Sequence, residues 1–440
     1  MKFSLSTSFA RLALLTLLAV FLLSFGGRLV GLQGNFQSCT GWPLCIPQGD
    51  SGLGLLLHRI SAGAASILML ALLFQAWKTQ RDHRLLLPLT TATTVLFFAQ
   101  AFVGAILATR GFAADYQIFH ALTALALWVA LVALVVAAGY LAKDSVAFPP
   151  LDLPQRLKDF VVLTKPLIVG LLLVTTFSGL VAGGKAWPSL SLMFWTLLGG
   201  ALAAGGSGAL NQYIDRDLDK NMQRTAKRPM AARRMTPAEG LSFGLALCII
   251  SFYIMAGFVN FLAAFLSLAG IIYYVFLYSL LLKKATVQNI VIGGGAGAIP
   301  PMVGWAAATG HLDMPAWILF MIIFMWTPPH FWALALVRSN EYARAGVPMM
   351  PVVHGEAETR KQMLIYTVLL VFLSLSMSAF HFAGNIYLIS ALVLGIGLIF
   401  AAWRVYRTDS NKIAWQMYRY SSMYLMFLFL ALMVDALVRL

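Results

Sequence analysis

Long, unbroken apolar runs recur along the whole 440-residue chain, and they leave few folds open. A run such as Leu12–Phe25, extended through Val30, carries no charge until Arg28. A segment of about 20 apolar residues spans a bilayer as a helix, with its backbone groups satisfied internally. Membrane β-barrels need alternating apolar and polar positions, and these runs do not alternate. Charged residues make up 11% of the chain, against about 25% in soluble domains. The expectation is an all-α polytopic membrane protein with about thirteen transmembrane helices, a four-helix bundle followed by a nine-helix bundle. Lys2 and Arg11 before the first run resemble a signal peptide, but no small-x-small cleavage site follows, so the run reads as a retained helix.

Spans are expected near 9–31, 53–77, 86–109 and 116–141. A polar break with Pro149, Pro150 and Pro154 follows, which reads as a linker over 143–160. Further spans are expected near 163–183, 190–214, 238–257, 260–281, 287–308, 315–337, 363–382, 386–405 and 419–438. The domains are then 1–142 and 161–440.

The net charge of +15 does not point to nucleic acid. The basic residues occupy alternate loops, among them Lys78–Arg84, Arg216–Arg234, Lys283–Lys284 and Arg404–Lys412. That pattern marks cytoplasmic loops and puts the N-terminus inside and the C-terminus outside a bacterial or archaeal cell membrane. Cys39 and Cys45 share the first outer loop, where a disulfide is expected.

The densest chemistry closes the sixth span, in Asn211-Gln-Tyr-Ile-Asp215-Arg-Asp217-Leu-Asp219. Asn211, Asp215 and Asp219 recur every fourth residue and stack on one helix face, with Asp217 off it. A carboxylate at bilayer depth costs about 2.5–3.5 kcal/mol, so a pair of them needs a reason. Mg²⁺ supplies one, since it takes hard oxygen ligands together with substrate phosphates. Arg224, Lys227, Arg228 and Arg233 follow closely and suit a diphosphate. A solvated helix end with ordinary loop charges is the plain alternative.

Asn211–Asp219, with Arg224-Thr225 and Arg228-Pro229, resembles the first motif of the UbiA superfamily of intramembrane prenyltransferases. Leu163-Thr-Lys165-Pro166, the Asn289–Pro301 segment, Gly304-Trp305, Trp326-Thr-Pro-Pro-His330-Phe-Trp332 and Ala345–Pro351 resemble its heme O synthase (protoheme IX farnesyltransferase) subfamily. The resemblance implies a nine-helix fold, farnesyl diphosphate and protoheme IX as substrates, Mg²⁺ as cofactor, and water capture of the prenylated cation. It implies catalytic or metal roles for Asn211, Asp215 and Asp219, and substrate contacts at Lys165, Arg224, Arg228, Lys284, Arg338, Tyr342 and Trp332. Where other superfamily members carry a second Asp-x3-Asp, this chain has Arg338 and Tyr342 with Glu341 between. His330 reads as a heme contact or a base, or equally as a packed histidine. Prenylation of another aromatic acceptor and a membrane heme transporter are the competing functions.

His58 and His120 fall at similar depth in the first four spans, as a bis-axial heme b pair would. Residues 1–142 resemble one half of heme A synthase, through Gly26-Gly27-Arg28, Cys39-Thr-Gly-Trp42-Pro43-Leu44-Cys45 and His58-Arg59. Leu55 stands where that family places a catalytic Glu. The half-fold implies a homo-oligomer through this domain, and a heme A synthase or oxidase-assembly protein as partner.

Overall fold

The computed structural model describes residues 3–32, 39–40, 43–47, 49–110, 113–143 and 152–438. Among them, thirteen helices are long and apolar enough to cross a membrane. Every expected span is present, with ends displaced by several residues at most sites and by eight at two starts, Gly355 and Asn411. Many of their outward side chains are large and apolar, such as Ile67, Phe74 and Phe372. The chain is a multi-pass membrane protein.

Contacts divide it into two compact units, residues 1–158 with 235–250, and residues 159–234 with 251–440. The first unit contains α1 (Ser8–Leu32), α2 (Gly49–Thr79), α3 (Leu86–Arg110) and α4 (Ala114–Leu141), packed in a ring in which α1 meets α4. Two short strands pair antiparallel before α2, with Cys39 opposite Pro47. Cys45 is disulfide-bonded, and the side chain of Cys39 lies outside the described residues. The expected linker is partly helical: α5 covers Leu153–Leu163, and Asp152 Oδ1 accepts from the Gln155 amide at 3.4 Å. Pro154 in its first turn fits a helix start, where no amide is required.

The second unit is built on α6 (Pro166–Gly184), α7 (Leu190–Asp219), α9 (Phe261–Ile272), α10 (Asn289–Thr309), α11 (Met314–Val337), α14 (Gly355–Ala379), α15 (Asn385–Arg407) and α16 (Asn411–Val438). The short helices α12 (Ser339–Arg344) and α13 (Met350–Val353) follow α11, and α8 (Pro237–Phe258) runs through both units. The closest helix crossing is α6 on α10. A Cβ on Gly179 would lie 2.1 Å from the Pro301 carbonyl oxygen, and one on Gly304 1.9 Å from that of Thr176. Only glycine allows backbones so near in lipid. α11 continues through Pro328 and Pro329 to Val337. A ten-residue π-helix, Tyr273–Leu282, extends α9 toward the basic loop.

Candidate active site

α7 buries the motif face as its spacing requires. Asn211, Asp215 and Asp219 are 2–3% exposed, whereas the Asp217 side chain is 70% exposed and binds Lys220 at 2.7 Å. Each buried motif residue holds a basic partner. Lys165 Nζ donates to Asn211 Oδ1 at 2.5 Å, Lys283 pairs with Asp215 Oδ2, and Arg228 Nη1 donates to Asp219 Oδ2 at 2.8 Å. Asn211 Nδ2 donates to Asp215 Oδ2 at 2.8 Å and to Ser279 Oγ at 3.0 Å, which fixes the amide orientation.

Lys165 is held in place by its backbone. It caps α6 in the left-handed region, at φ 55 and ψ 60, directly before Pro166. A non-glycine residue there is strained, and a following proline adds to the strain. Burial, with the nearby charges of Arg228 and Lys283, holds its ammonium down to about 7.

The π-helix explains a difference from expectation. Lys284 is exposed, and its neighbour Lys283 stands at Asp215 instead. The wider turn closes with the Lys283 amide donating to the Tyr278 carbonyl, five residues back. That shift rotates the lysine pair by one position relative to an α-helix. The same segment offers Tyr274, whose hydroxyl is 3.4 Å from Lys165 Nζ and whose ring stacks on Tyr278.

The end of α11 joins the same region. Tyr342 and Tyr278 pack against a core cluster that includes Leu218, one residue from Asp219. Burial raises the Tyr342 phenol, and the charges of Arg224 and Arg338 oppose that rise. Arg338 Nη1 donates to Glu341 Oε1 at 2.8 Å, while Arg338 Nε and Glu341 Oε2 are buried without a hydrogen bond. Arg224 is exposed on the loop after α7. Thus Lys165 and Arg228 meet the α7 terminus directly, and Arg338 lies near Tyr342.

A family model described as the UbiA prenyltransferase family matches residues 172–431. The chain belongs to that family. It is an intramembrane prenyltransferase. A curated relative from Roseiflexus sp. (strain RS-1), named protoheme IX farnesyltransferase, is 41% identical over 99% of this chain and 84% of its own length. A protein of the same name from Trichodesmium erythraeum is 47% identical over 64% of this chain and 87% of its own. A solved structure of digeranylgeranylglyceryl phosphate synthase shares the fold, with a TM-score of 0.56 at 18% identity, covering 64% of this chain and 99% of that one.

The signature residues of α11 and α10 make contacts of their own. His330 is 6% exposed, and its Nδ1 lies 2.7 Å from Ser421 Oγ. Its ring stacks between Trp326, at 4.2 Å, and Tyr418, at 4.4 Å. Trp326 Nε1 donates to the Ser421 carbonyl at 2.8 Å. Trp332 sits in the core with its ring edge on Tyr366, and its Nε1 is buried without a hydrogen bond. The Gly293–Gly295 run is explained by neighbours, since added Cβ atoms would meet Tyr278, Thr327 and Tyr273. Several residues escaped the sequence reading, among them Lys283, hidden by the π-turn, and Ser279, Tyr274, Tyr418 and Ser421, which had no charge to mark them.

In the first unit, His58 Nδ1 lies 3.2 Å from the Leu23 carbonyl oxygen, and His120 Nε2 lies 3.0 Å from Gln100 Nε2. His120 Nδ1 is buried without a hydrogen bond. The His58 ring lies against Gly27 and the His120 ring against Gly104, where a Cβ would come within 2.5 and 3.2 Å.

Proposed function

We propose that the chain transfers the farnesyl group of farnesyl diphosphate to a vinyl carbon of protoheme IX, yielding heme O and pyrophosphate. The observation that carries the diphosphate half is the buried α7 face, on which Asn211, Asp215 and Asp219 are each met by a basic side chain. The acceptor follows from the relatives' common name. The farnesyl C1–O bond breaks and pyrophosphate leaves. A C–C bond forms between C1 and the vinyl carbon. Water adds to the resulting cation and loses a proton.

Lys165, Lys283, Arg228, Arg224 and Arg338 bind the leaving group and offset its developing charge. Asn211, Asp215 and Asp219 form the hard-oxygen donor set that suits Mg²⁺, which would neutralise diphosphate oxygens when bound. The unpaired buried atoms of Arg338 and Glu341 favour a polar ligand at the second motif position. His330, Trp326 and Tyr418 form an aromatic stack suited to the flat acceptor, and Trp332 supports it from the core. The basic loops support a site on the cytoplasmic side, with the N-terminus inside.

The test is to incubate the purified chain with protoheme, farnesyl diphosphate and Mg²⁺ and to analyse the extracted hemes by mass. Heme O is expected, and none with Asp215→Asn. A chain that releases pyrophosphate without farnesylating heme would prenylate another acceptor. Unimpaired pyrophosphate release in Asp215→Asn would remove the site itself.

A second reading concerns the first unit, where His58 and His120 would hold a heme b. The His58 contact with Leu23 leaves Nε2 for a metal, and the orphaned Nδ1 of His120 needs a partner. Gly27 and Gly104 leave both rings uncrowded by Cβ atoms. Heme absorption should fall in His58→Ala and His120→Ala; unchanged heme content in both rules the reading out.

A further inference from the structure

We propose that this chain takes up its divalent cation together with a diphosphate and not alone, because tethered cations already hold the metal's donor atoms. The proposal rests on the reading of the α7 face as a metal–diphosphate site. The donor set is occupied residue by residue: Lys165 on Asn211 Oδ1, Lys283 on Asp215 Oδ2 and Arg228 on Asp219 Oδ2. Asn211 Nδ2 also donates to Asp215 Oδ2, so its carbonyl oxygen is turned toward Lys165.

The charge balance of the cluster sets the order. Two buried carboxylates face three basic side chains, an excess of one positive charge if all are ionised. A lone divalent cation would enlarge that excess in a site where the carboxylates are 2% exposed and screening is weak. A diphosphate ester carries enough negative charge to offset both the metal and the excess. Lys165, Lys283 and Arg228 have flexible stems that let their heads turn from protein oxygens to phosphate oxygens. Their departure frees the donors for the metal. Metal and diphosphate therefore bind with positive coupling, each raising the affinity for the other.

The experiment measures Mn²⁺ retained with the purified full-length chain on ultrafiltration, alone and with inorganic pyrophosphate. Little retention is expected with Mn²⁺ alone, and tight retention once pyrophosphate is present. Lys283→Ala should bind Mn²⁺ alone about tenfold more tightly than the parent chain, as removal of a competing cation requires. Lys283→Gln serves as a second variant that keeps the stem. Equal Mn²⁺ affinity with and without pyrophosphate, or no gain in either soluble Lys283 variant, overturns the proposal. Retention in both conditions that disappears in Asp215→Asn would overturn the coupling alone and keep the site. No retention in either condition would overturn the site reading as well.

Discussion

Lys283 stands on Asp215, 68 residues away in sequence, because the helix that carries it changes from α to π just before it. The pair joins two parts of the proposed diphosphate site, α7 and the end of the π-helix. Lys283→Ala and Asp215→Asn should each slow pyrophosphate release by about 10²–10³-fold, the usual cost of losing one charge-stabilising group. Lys284→Ala, one residue along but exposed, should leave release within about twofold, as expected of surface changes. A coupled pyrophosphate assay on the three variants decides between the neighbours.

Glu239 is fully buried and bound on both oxygens. Arg81 Nε lies 3.0 Å from Oε1, Arg156 Nη1 3.2 Å from Oε2, and the Thr236 amide donates to Oε2 at 2.7 Å. Its own amide returns a bond to Thr236 Oγ1 at 3.1 Å, closing a capping box at the start of α8. Glu239→Ala leaves two guanidinium groups uncompensated and should cost about 3–5 kcal/mol. Thermal unfolding in detergent measures the loss, and Glu239→Gln should show a smaller one.

His83 caps α3 by accepting the Leu85 and Leu86 amides on Nδ1, at 3.3 and 3.1 Å. That role requires an unprotonated Nδ1. Burial lowers the His83 pKa, opposed by Asp82 and reinforced by Lys143. The unfolded chain therefore binds a proton first as pH falls. The contribution is complete above the ordinary histidine value of about 6.5 and is lost as pH falls from there through the folded-state value. His83→Ala should lower thermal stability at neutral pH, by about 1 kcal/mol for a lost cap, and flatten the acid limb.

The α6–α10 crossing has no room for a methyl group. Gly304→Ala and Gly179→Ala should reduce the folded, monodisperse fraction sharply, because backbone and not a movable side chain is in the way. Gly297→Ala, on the same α10 helix, meets nothing within 4 Å and should be neutral or mildly stabilising. Fluorescence-detected size-exclusion chromatography of the three variants provides the measurement.

The spans and the motif face were legible from the sequence because both depend on short-range periodicity. Apolar length alone marks a bilayer helix, and a four-residue repeat stacks Asn211, Asp215 and Asp219. The long-range partners were not. Nothing local distinguishes Lys283 from Lys284, since a π-turn follows from tertiary packing. Asp159, inside the expected linker, gave no sign that Arg234 would clasp it with bonds of 2.9–3.2 Å. The linker's prolines suggested an irregular segment, yet one of them lies in the first turn of α5. His330 and Trp332 were visible as a pattern, but only coordinates place His330 between two rings and leave Trp332 in the core.

The backbone of Lys165 favours a residue that its chemistry forbids. A glycine would relax the left-handed turn before Pro166, while removing the ammonium that reaches Asn211. With the role proposed for Lys165, folding and catalysis pull this position in opposite directions. Lys165→Gly should yield a sturdier protein that no longer turns over, so selection for robustness alone would erode the enzyme here first.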